Sequence, residues 1–242
     1  MQRVRWPRLL REIGQHELGA VLSMLVLATG VWVFAEVLDE VQEGQTQGVD
    51  RMILLALREK ADLGDPVGPP WLEEVGRDLS ALGGFAVLGI VTTVVVGYLA
   101  LLRKPRSALF VLTSVLGALG LSSLLKVLIA RPRPDLVPHH SYVLTMSFPS
   151  GHAMLSSAVY LTLGALLARF HTSLLLRAYI LLWALLLSAL VGCSRVYVGV
   201  HWPTDVIAGW AAGSAWAALC WIAARMLQRR GDVEPSSGSV PP

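Results

Sequence analysis

Six long apolar stretches constrain this chain more than any other feature of its sequence. They lie at roughly 18–38, 79–102, 107–128, 152–169, 173–194 and 203–226. Each is close to the ~20 residues that an α-helix needs to cross the ~30 Å hydrocarbon core of a bilayer. No alternating strand pattern is visible, and backbone polar groups in lipid must pair within the chain, so helices are expected. We therefore predict an all-α, multi-pass membrane protein with six transmembrane helices.

The composition supports a membrane class and excludes others. Hydrophobic residues make up 54% of the chain and charged residues only 15%, whereas a soluble domain has about 25% charged residues. The net charge of +3 comes without a long basic run, so nucleic-acid binding finds no support. We predict one domain over residues 1–230, followed by a disordered tail at 231–242 that is rich in Ser and Pro.

The charges of the loops predict the orientation. With six spans, twelve basic residues fall on one side, in the N-terminal tail, the turn at 103–106, the next turn on that side and the segment after the last helix. By the positive-inside rule, both termini are expected in the cytoplasm and the chain in the plasma (inner) membrane. The loops expected outside are 39–78, 129–151 and 195–202. The first stretch is predicted to be a retained signal anchor, because no small-residue cleavage site follows it.

The long outer loop contains one further predicted helix. Residues 49–58 have mixed apolar and charged faces but are too short to span a bilayer. We predict a short amphipathic helix at the membrane surface, acting as a simple connector rather than as a lid over a site. Residues 64–70 form a turn-rich link after it.

The first polar cluster combines two cations with two prolines. Lys126 and Arg133 are seven residues apart, nearly two helical turns, so they are expected to share a helix face. Pro132 and Pro134 are expected to end that helix. Two cations directed at one place need an anion, although a lysine that only reaches the membrane interface is the alternative.

The second cluster reads Pro149, Ser150, Gly151, His152 and opens an apolar helix. Unpaired backbone N–H groups at a helix start favour a phosphate, and Ser150 adds a hydroxyl. Gly151 lets an anion approach the backbone closely. The alternative is an ordinary helix cap, but the next residue is His152, and because a histidine ordinarily titrates near neutral pH, it favours a chemical role.

The third cluster contains Arg195, His201 and Asp205. The guanidinium fork of Arg195 suits phosphate oxygens. If the last helix starts near Trp202, Asp205 folds back to His201, fixes its tautomer and leaves the other ring nitrogen able to attack. A structural His–Asp pair is the alternative for this cluster alone. All three clusters fall on one predicted side, and together they indicate phosphoryl transfer through a histidine nucleophile.

The three clusters resemble the signature of the type 2 phosphatidic acid phosphatase family, which shares its active-site pattern with vanadium haloperoxidases. That signature is Lys-x6-Arg-Pro, then Pro-Ser-Gly-His, then Ser-Arg-x5-His-x3-Asp, and this chain matches it in order and spacing over residues 126–205. The resemblance implies a six-helix lipid phosphatase that uses neither a metal nor another cofactor.

Carried over by residue, the resemblance implies that His201 is the nucleophile and that Asp205 orients it. It also implies that His152 is the acid that protonates the leaving oxygen. Arg131 lies two residues too early for the pattern, and we expect it to be at most an outer phosphate contact. The residues assigned to phosphate binding are Lys126, Arg133, Arg195, Ser150 and Gly151.

The membrane setting favours a lipid phosphate as substrate, because a site at the outer rim takes a headgroup while the tails stay in lipid. The candidates are undecaprenyl diphosphate, phosphatidylglycerol phosphate, phosphatidic acid and diacylglycerol pyrophosphate. The motifs bind the phosphate that all of these share, so they do not choose among them. The alternatives are a phosphotransferase, which passes the phosphate to an acceptor other than water, and a non-catalytic transporter of anionic lipids.

Overall fold

The computed structural model describes residues 6–135 and 146–230, with side chains over 18–135 and 146–228. These residues contain eight α-helices and no strand beyond one isolated bridge, between Arg58 and Pro66. The all-α prediction is confirmed. The helices are α1 (Trp6–Gln42), α2 (Gln47–Ala56), α3 (Pro70–Ala81), α4 (Phe85–Leu101), α5 (Pro105–Ile129), α6 (Gly151–Ala168), α7 (Leu174–Tyr197) and α8 (Pro203–Arg230). The predicted disordered tail at 231–242 lies outside the described residues.

Five of the described helices are long and apolar enough to cross a membrane, namely α1, α5, α6, α7 and α8. A sixth span arises if α3 and α4, which are bent by 47° at a short break, count as one. The sequence predicted a straight apolar helix over 79–102, but the structure breaks it between Ala81 and Phe85. Helix α3 was missed by the prediction, although Pro69-Pro70 places a proline at its start, where proline suits a helix.

Helices α6 and α8 form the centre of the bundle, and small residues let them approach closely. A Cβ added at Gly209 would lie 2.8 Å from the Ser150 carbonyl oxygen, and one at Gly213 would lie 2.3 Å from that of Met154. Glycines at such positions allow helix backbones to pack in direct contact, as is common between membrane helices. This contact holds the first turn of α6 against the second and third turns of α8.

A short helix, α2, lies where the sequence predicts one, and two of its side chains are buried; its placement at the membrane surface stays a prediction. Asp50 and Leu54 are both completely buried. Leu54 packs in an apolar cluster with Ala153 of α6 and Val206 of α8. The expectation of a simple connector is therefore wrong, because α2 is docked on the ends of the two central helices.

Candidate active site

His201 lies in the connection between α7 and α8, and Asp205 lies in the first turn of α8. Helix α7 ends at Tyr197, and Gly199 has a φ of +81°, which turns the chain back before α8 begins at Pro203. His201 Nδ1 lies 3.4 Å from Asp205 Oδ2, and both side chains are buried. The same oxygen accepts a 3.0 Å hydrogen bond from the Trp202 backbone N–H. The structure thus folds Asp205 back onto His201, as the four-residue spacing predicts.

Ser147 joins this pair and was missed by the sequence analysis. Its hydroxyl donates a short hydrogen bond to Asp205 Oδ2, and its Oγ lies 3.3 Å from His201 Nδ1. Asp205 Oδ2 therefore accepts hydrogen bonds from the Ser147 hydroxyl and the Trp202 backbone N–H, which is the usual environment of a buried, ionised acid. Ser147 is a polar residue just before the second motif, and its spacing alone carries no signal for this role.

The other ring nitrogen of His201 faces a cation. Arg133 Nη1 lies 3.2 Å from His201 Nε2 and also donates to the Val200 carbonyl oxygen at 2.7 Å. Because Nδ1 faces the carboxylate, the hydrogen-bond partners assign the proton to Nδ1 and the lone pair to Nε2. Burial lowers the pKa of His201 to about 3, although its hydrogen bond to Asp205 opposes this shift. The ring is therefore neutral at pH 7, with a nitrogen able to attack.

Lys126 lies against the start of α6. Its Nζ donates to the Met146 carbonyl oxygen at 2.7 Å, and a Cβ added at Gly151 would lie 3.3 Å from Lys126 Cε. Helix α5 ends at Ile129, followed by Ala130 in the left-handed region at φ +50°. The prediction that Lys126 and Arg133 share a helix face is therefore wrong. The two cations approach from a helix and from the segment after it.

Two buried polar atoms near the first turn of α6 and the end of α7 have no partner within the described part of the chain. They are the hydroxyl of Ser150 and Nε of Arg195. The Nη1 atom of Arg195 donates a short hydrogen bond to Ser80 of α3. A buried donor without a partner costs about 1–3 kcal/mol, so two such atoms close to the histidines indicate the place of an anionic ligand.

His152 completes the set at the second residue of α6, beside the break between α3 and α4. A Cβ added at Gly84 would lie 3.8 Å from His152 Nε2. The positive charges of three cations act on its ring, so these groups share one electrostatic environment. Those cations are Lys126, Arg133 and Arg195. The residues predicted from the three motifs are thus brought together.

Arg131 has a different position from the one expected. Its Nη1 donates to Asp205 Oδ1 at 2.7 Å and to Thr204 Oγ1 at 2.8 Å, while its Nη2 donates to Asp50 Oδ2 at 2.7 Å. The guanidinium thus bridges two buried carboxylates. The expectation of an outer phosphate contact does not fit this arrangement, because the protein itself engages both terminal nitrogens.

The arrangement suits the chemistry of a tetrahedral anion. The neutral imidazole of His201 lies close to Lys126, Arg133 and Arg195. The second imidazole, of His152, is available for proton transfer. Within the described ranges, no group of three or more His, Cys, Asp or Glu side chains is placed to hold a metal ion.

Fold and site together are those of an integral-membrane phosphatase of the PAP2 type. Residues 107–229 match the PAP2 superfamily, and this chain belongs to that superfamily. The family predicted from the three motifs is confirmed.

Individual relatives agree with this assignment. The chain is 34% identical over 148 residues to phosphatidylglycerophosphatase B of Bacillus subtilis (strain 168), covering 60% of this chain and 71% of that one. It is 36% identical over 119 residues to undecaprenyl-diphosphatase of Sulfolobus acidocaldarius, covering 46% of this chain and 52% of that one. A crystal structure of a transmembrane PAP2-type phosphatidylglycerolphosphate phosphatase from Bacillus subtilis matches with a TM-score of 0.72 at 28% identity. That match covers 83% of this chain and 98% of the other.

Proposed function

We propose that this chain is a membrane lipid phosphatase that acts through a phosphohistidine at His201. The observation that carries the proposal is the buried His201 ring, which has Asp205 on Nδ1 and Arg133 3.2 Å from Nε2. The names of the relatives, which are phosphatases of lipid phosphates, support the same class of reaction. A transporter needs cations to bind a headgroup, but it does not need an oriented imidazole.

In the first step, His201 Nε2 attacks phosphorus in line. A phosphorus–nitrogen bond forms, the bond from phosphorus to the leaving oxygen breaks, and His152 gives its proton to that oxygen. The positive charge that develops on the His201 ring is stabilised by Asp205. In the second step, His152 takes a proton from water, the water oxygen attacks phosphorus, and the phosphorus–nitrogen bond breaks to release phosphate.

The phosphate oxygens are held by the cations and by the start of α6. Phosphoryl transfer spreads negative charge over the equatorial oxygens, and fixed donors stabilise that charge. Nε of Arg195 and the hydroxyl of Ser150 are buried donors suited to this purpose. With charge stabilisation supplied in this way, we expect turnover without a divalent metal. The full proposed set is Lys126, Arg133, Arg195, Ser150 and Gly151.

In the membrane, we propose six spans, with α4 as the second span, α3 bent away from it into the outer loop, and α2 at the outer surface. The protein lies in the plasma membrane with both termini in the cytoplasm, and the site opens on the opposite side of the membrane. Residues 1–230 form one domain. The loop from 39 to 78, with its four basic and ten acidic residues, supports this orientation. The headgroup enters at the helix ends while the tails remain in lipid, so the substrate is a phosphorylated membrane lipid.

The test is phosphate release by the purified protein in detergent, over a panel of phosphatidylglycerol phosphate, undecaprenyl diphosphate, phosphatidic acid and diacylglycerol pyrophosphate. We expect release from at least one lipid, unchanged in excess EDTA and absent for His201→Ala. Binding of these lipids without release would overturn the proposal in favour of a transporter. Loss of the lipid's phosphate only when an alcohol acceptor is present, with that phosphate appearing on the acceptor, would instead indicate a phosphotransferase.

A further inference from the structure

Asp50 of α2 is the most heavily engaged acidic side chain in the described structure outside the motifs. Its Oδ1 accepts a 3.0 Å hydrogen bond from the Thr204 backbone N–H. Its Oδ2 accepts from the Thr204 hydroxyl at 2.6 Å and from Arg131 Nη2 at 2.7 Å. The Asp50 side chain is completely buried. Each of these contacts ties α2 to the first turn of α8 or to the segment after α5.

Arg131 extends this contact to the proposed catalytic pair. Its Nη1 donates to Asp205 Oδ1 at 2.7 Å, and the other oxygen of Asp205 faces His201 Nδ1. Charges of alternating sign therefore run from Asp50 through Arg131 to Asp205 and end at the imidazole. Because Arg131 holds Oδ1, the carboxylate of Asp205 cannot rotate Oδ2 away from the ring without breaking an ion pair.

Through Arg131, the charge of Asp50 affects the electrostatic potential at His201. A guanidinium 2.7 Å from Asp205 reduces the negative potential that Asp205 exerts on His201. The carboxylate of Asp50, equally close to the other side of Arg131, offsets that positive charge. Removing Asp50 would leave Arg131 to oppose Asp205 at the moment when the His201 ring becomes positive.

Docking of α2 does not rest on these ion pairs alone. Leu54, one turn after Asp50, is buried in the apolar cluster with Ala153 and Val206. A buried ion pair is in general a weak source of stability, because desolvation of the charges offsets their attraction. We propose that Asp50 is a positioning residue for phosphoryl transfer, acting on His201 through Arg131 and Asp205. This inference rests on the proposed function.

Two nearly isosteric variants test it. Asp50→Asn removes the offsetting charge, and Thr204→Val removes the hydroxyl that joins Asp50 to Arg131. For Asp50→Asn we expect kcat to fall about tenfold, a typical coupling between residues of one ionic network, with KM changed less than twofold. The acid limb of kcat/KM should also move to lower pH, because the unbalanced Arg131 charge disfavours protonated His201. Thr204→Val keeps both charges, so kcat should fall about threefold without a shift of the pH profile.

Glu73→Gln is the matched control. Glu73 forms an i,i+4 ion pair with Arg77 on α3, also in the outer segment, but both side chains are substantially exposed. This variant removes the same charge and should leave kcat, KM and the pH profile unchanged. Thermal unfolding in detergent is measured for all three variants.

An Asp50→Asn protein with wild-type kcat and pH profile, even with a lower unfolding temperature, would overturn the positioning role. If Asp50→Asn does not fold, the kcat of Thr204→Val tests the positioning role instead, and a wild-type kcat in that variant contradicts the inference. The reference is the wild-type protein. If it releases no phosphate from any lipid, the proposed function fails, whereas an active wild type with unaffected variants defeats only the role of Asp50.

Discussion

The two sides of the His201–Asp205 pair differ in how their polar atoms are engaged. On the phosphate side, formed by Lys126, Arg133, Arg195 and Ser150, the Ser150 hydroxyl and Arg195 Nε find no hydrogen-bond partner in the described structure. On the α2 side, formed by Asp50, Arg131 and Thr204, each charged group meets an opposite charge or a hydroxyl within 2.8 Å. The first side leaves donors for the proposed phosphate, whereas the polar groups of the second bind one another.

Arg131 and Arg133 show what this difference teaches. They are two residues apart in an Arg-Pro-Arg-Pro sequence, and both carry a guanidinium group. Arg131 bridges two buried carboxylates, whereas Arg133 reaches the nitrogen proposed to attack phosphorus. Residue type alone therefore does not identify a phosphate ligand. The groups that the folded chain sets around each guanidinium decide its role.

The largest expected effect on activity comes from removing His201, the proposed nucleophile, which lies between the two sides. Substitution of His201 by Ala removes the attacking nitrogen, and phosphate release should fall by at least about 10⁴-fold. The assay is phosphate release from the preferred lipid, with thermal unfolding and membrane insertion as checks on folding. Activity within tenfold of wild type would show that another group attacks phosphorus.

Parallel substitutions of the two arginines test the comparison directly. Arg133→Gln should lower kcat/KM by about 10²–10³-fold and weaken inhibition by inorganic phosphate, because it removes a ligand of the anion. Arg131→Gln should leave phosphate inhibition within threefold of wild type. It should lower stability by about 3–5 kcal/mol, since two buried carboxylates lose their partner. Equal losses of phosphate affinity in both variants would erase the distinction between the two sides.

The pH profile tests the state of His201. Attack requires the neutral ring, and burial lowers the pKa of His201 to about 3 in the free protein, despite the opposing effect of Asp205. Since kcat/KM reports ionisation of the free enzyme, its acid limb should lie below 6.5, the ordinary histidine value, with activity retained to about pH 4.5. An acid limb at pH 6.5 or above would contradict a buried, neutral nucleophile.

The smallest expected effect concerns the packing that supports the phosphate side. A Cβ at Gly209 would press on the Ser150 carbonyl oxygen at 2.8 Å, whereas nothing lies within 4 Å of one at Gly97 of α4. Gly209→Ala should therefore lower the free energy of unfolding by about 1–3 kcal/mol. The control, Gly97→Ala, should be neutral or slightly stabilising. Thermal unfolding in detergent compares them, and equal midpoints would show that α8 can shift away from α6.

The sequence predicted those parts of the site that local geometry relates. His201 and Asp205 are four residues apart around the start of α8, and Ser150 to His152 open α6, so their short separation along the chain places them together. The partners on the α2 side come from far along the chain. Arg131 and Asp205 are 74 residues apart, and Asp50 and Thr204 are 154 apart. The packing of α2 and of the segment after α5 against the start of α8 brings these groups together.

The fold was predicted in outline and missed at one bend. Hydropathy detects a membrane span by length and composition, and it reads the residues around Gly83 as a continuous apolar run. A Cβ at Gly83 would lie 2.4 Å from Val191 Cγ1 and 3.1 Å from the His152 carbonyl oxygen. The break between α3 and α4 therefore follows from close packing against α6 and α7, which periodicity does not encode. That break is also what sets Ser80 against Arg195.

The most direct test of a phosphohistidine is its capture. Wild-type protein and His152→Ala are mixed with a lipid substrate that carries radioactive phosphorus, quenched in alkali to preserve a phosphoramidate bond, and digested. We predict acid-labile label on the peptide that contains His201, none in His201→Ala, and slower formation and slower loss of the label in His152→Ala, which lacks the acid of the first step and the base of the second. Label on another residue, or turnover by wild type without any labelled protein under conditions that preserve phosphohistidine, would contradict it.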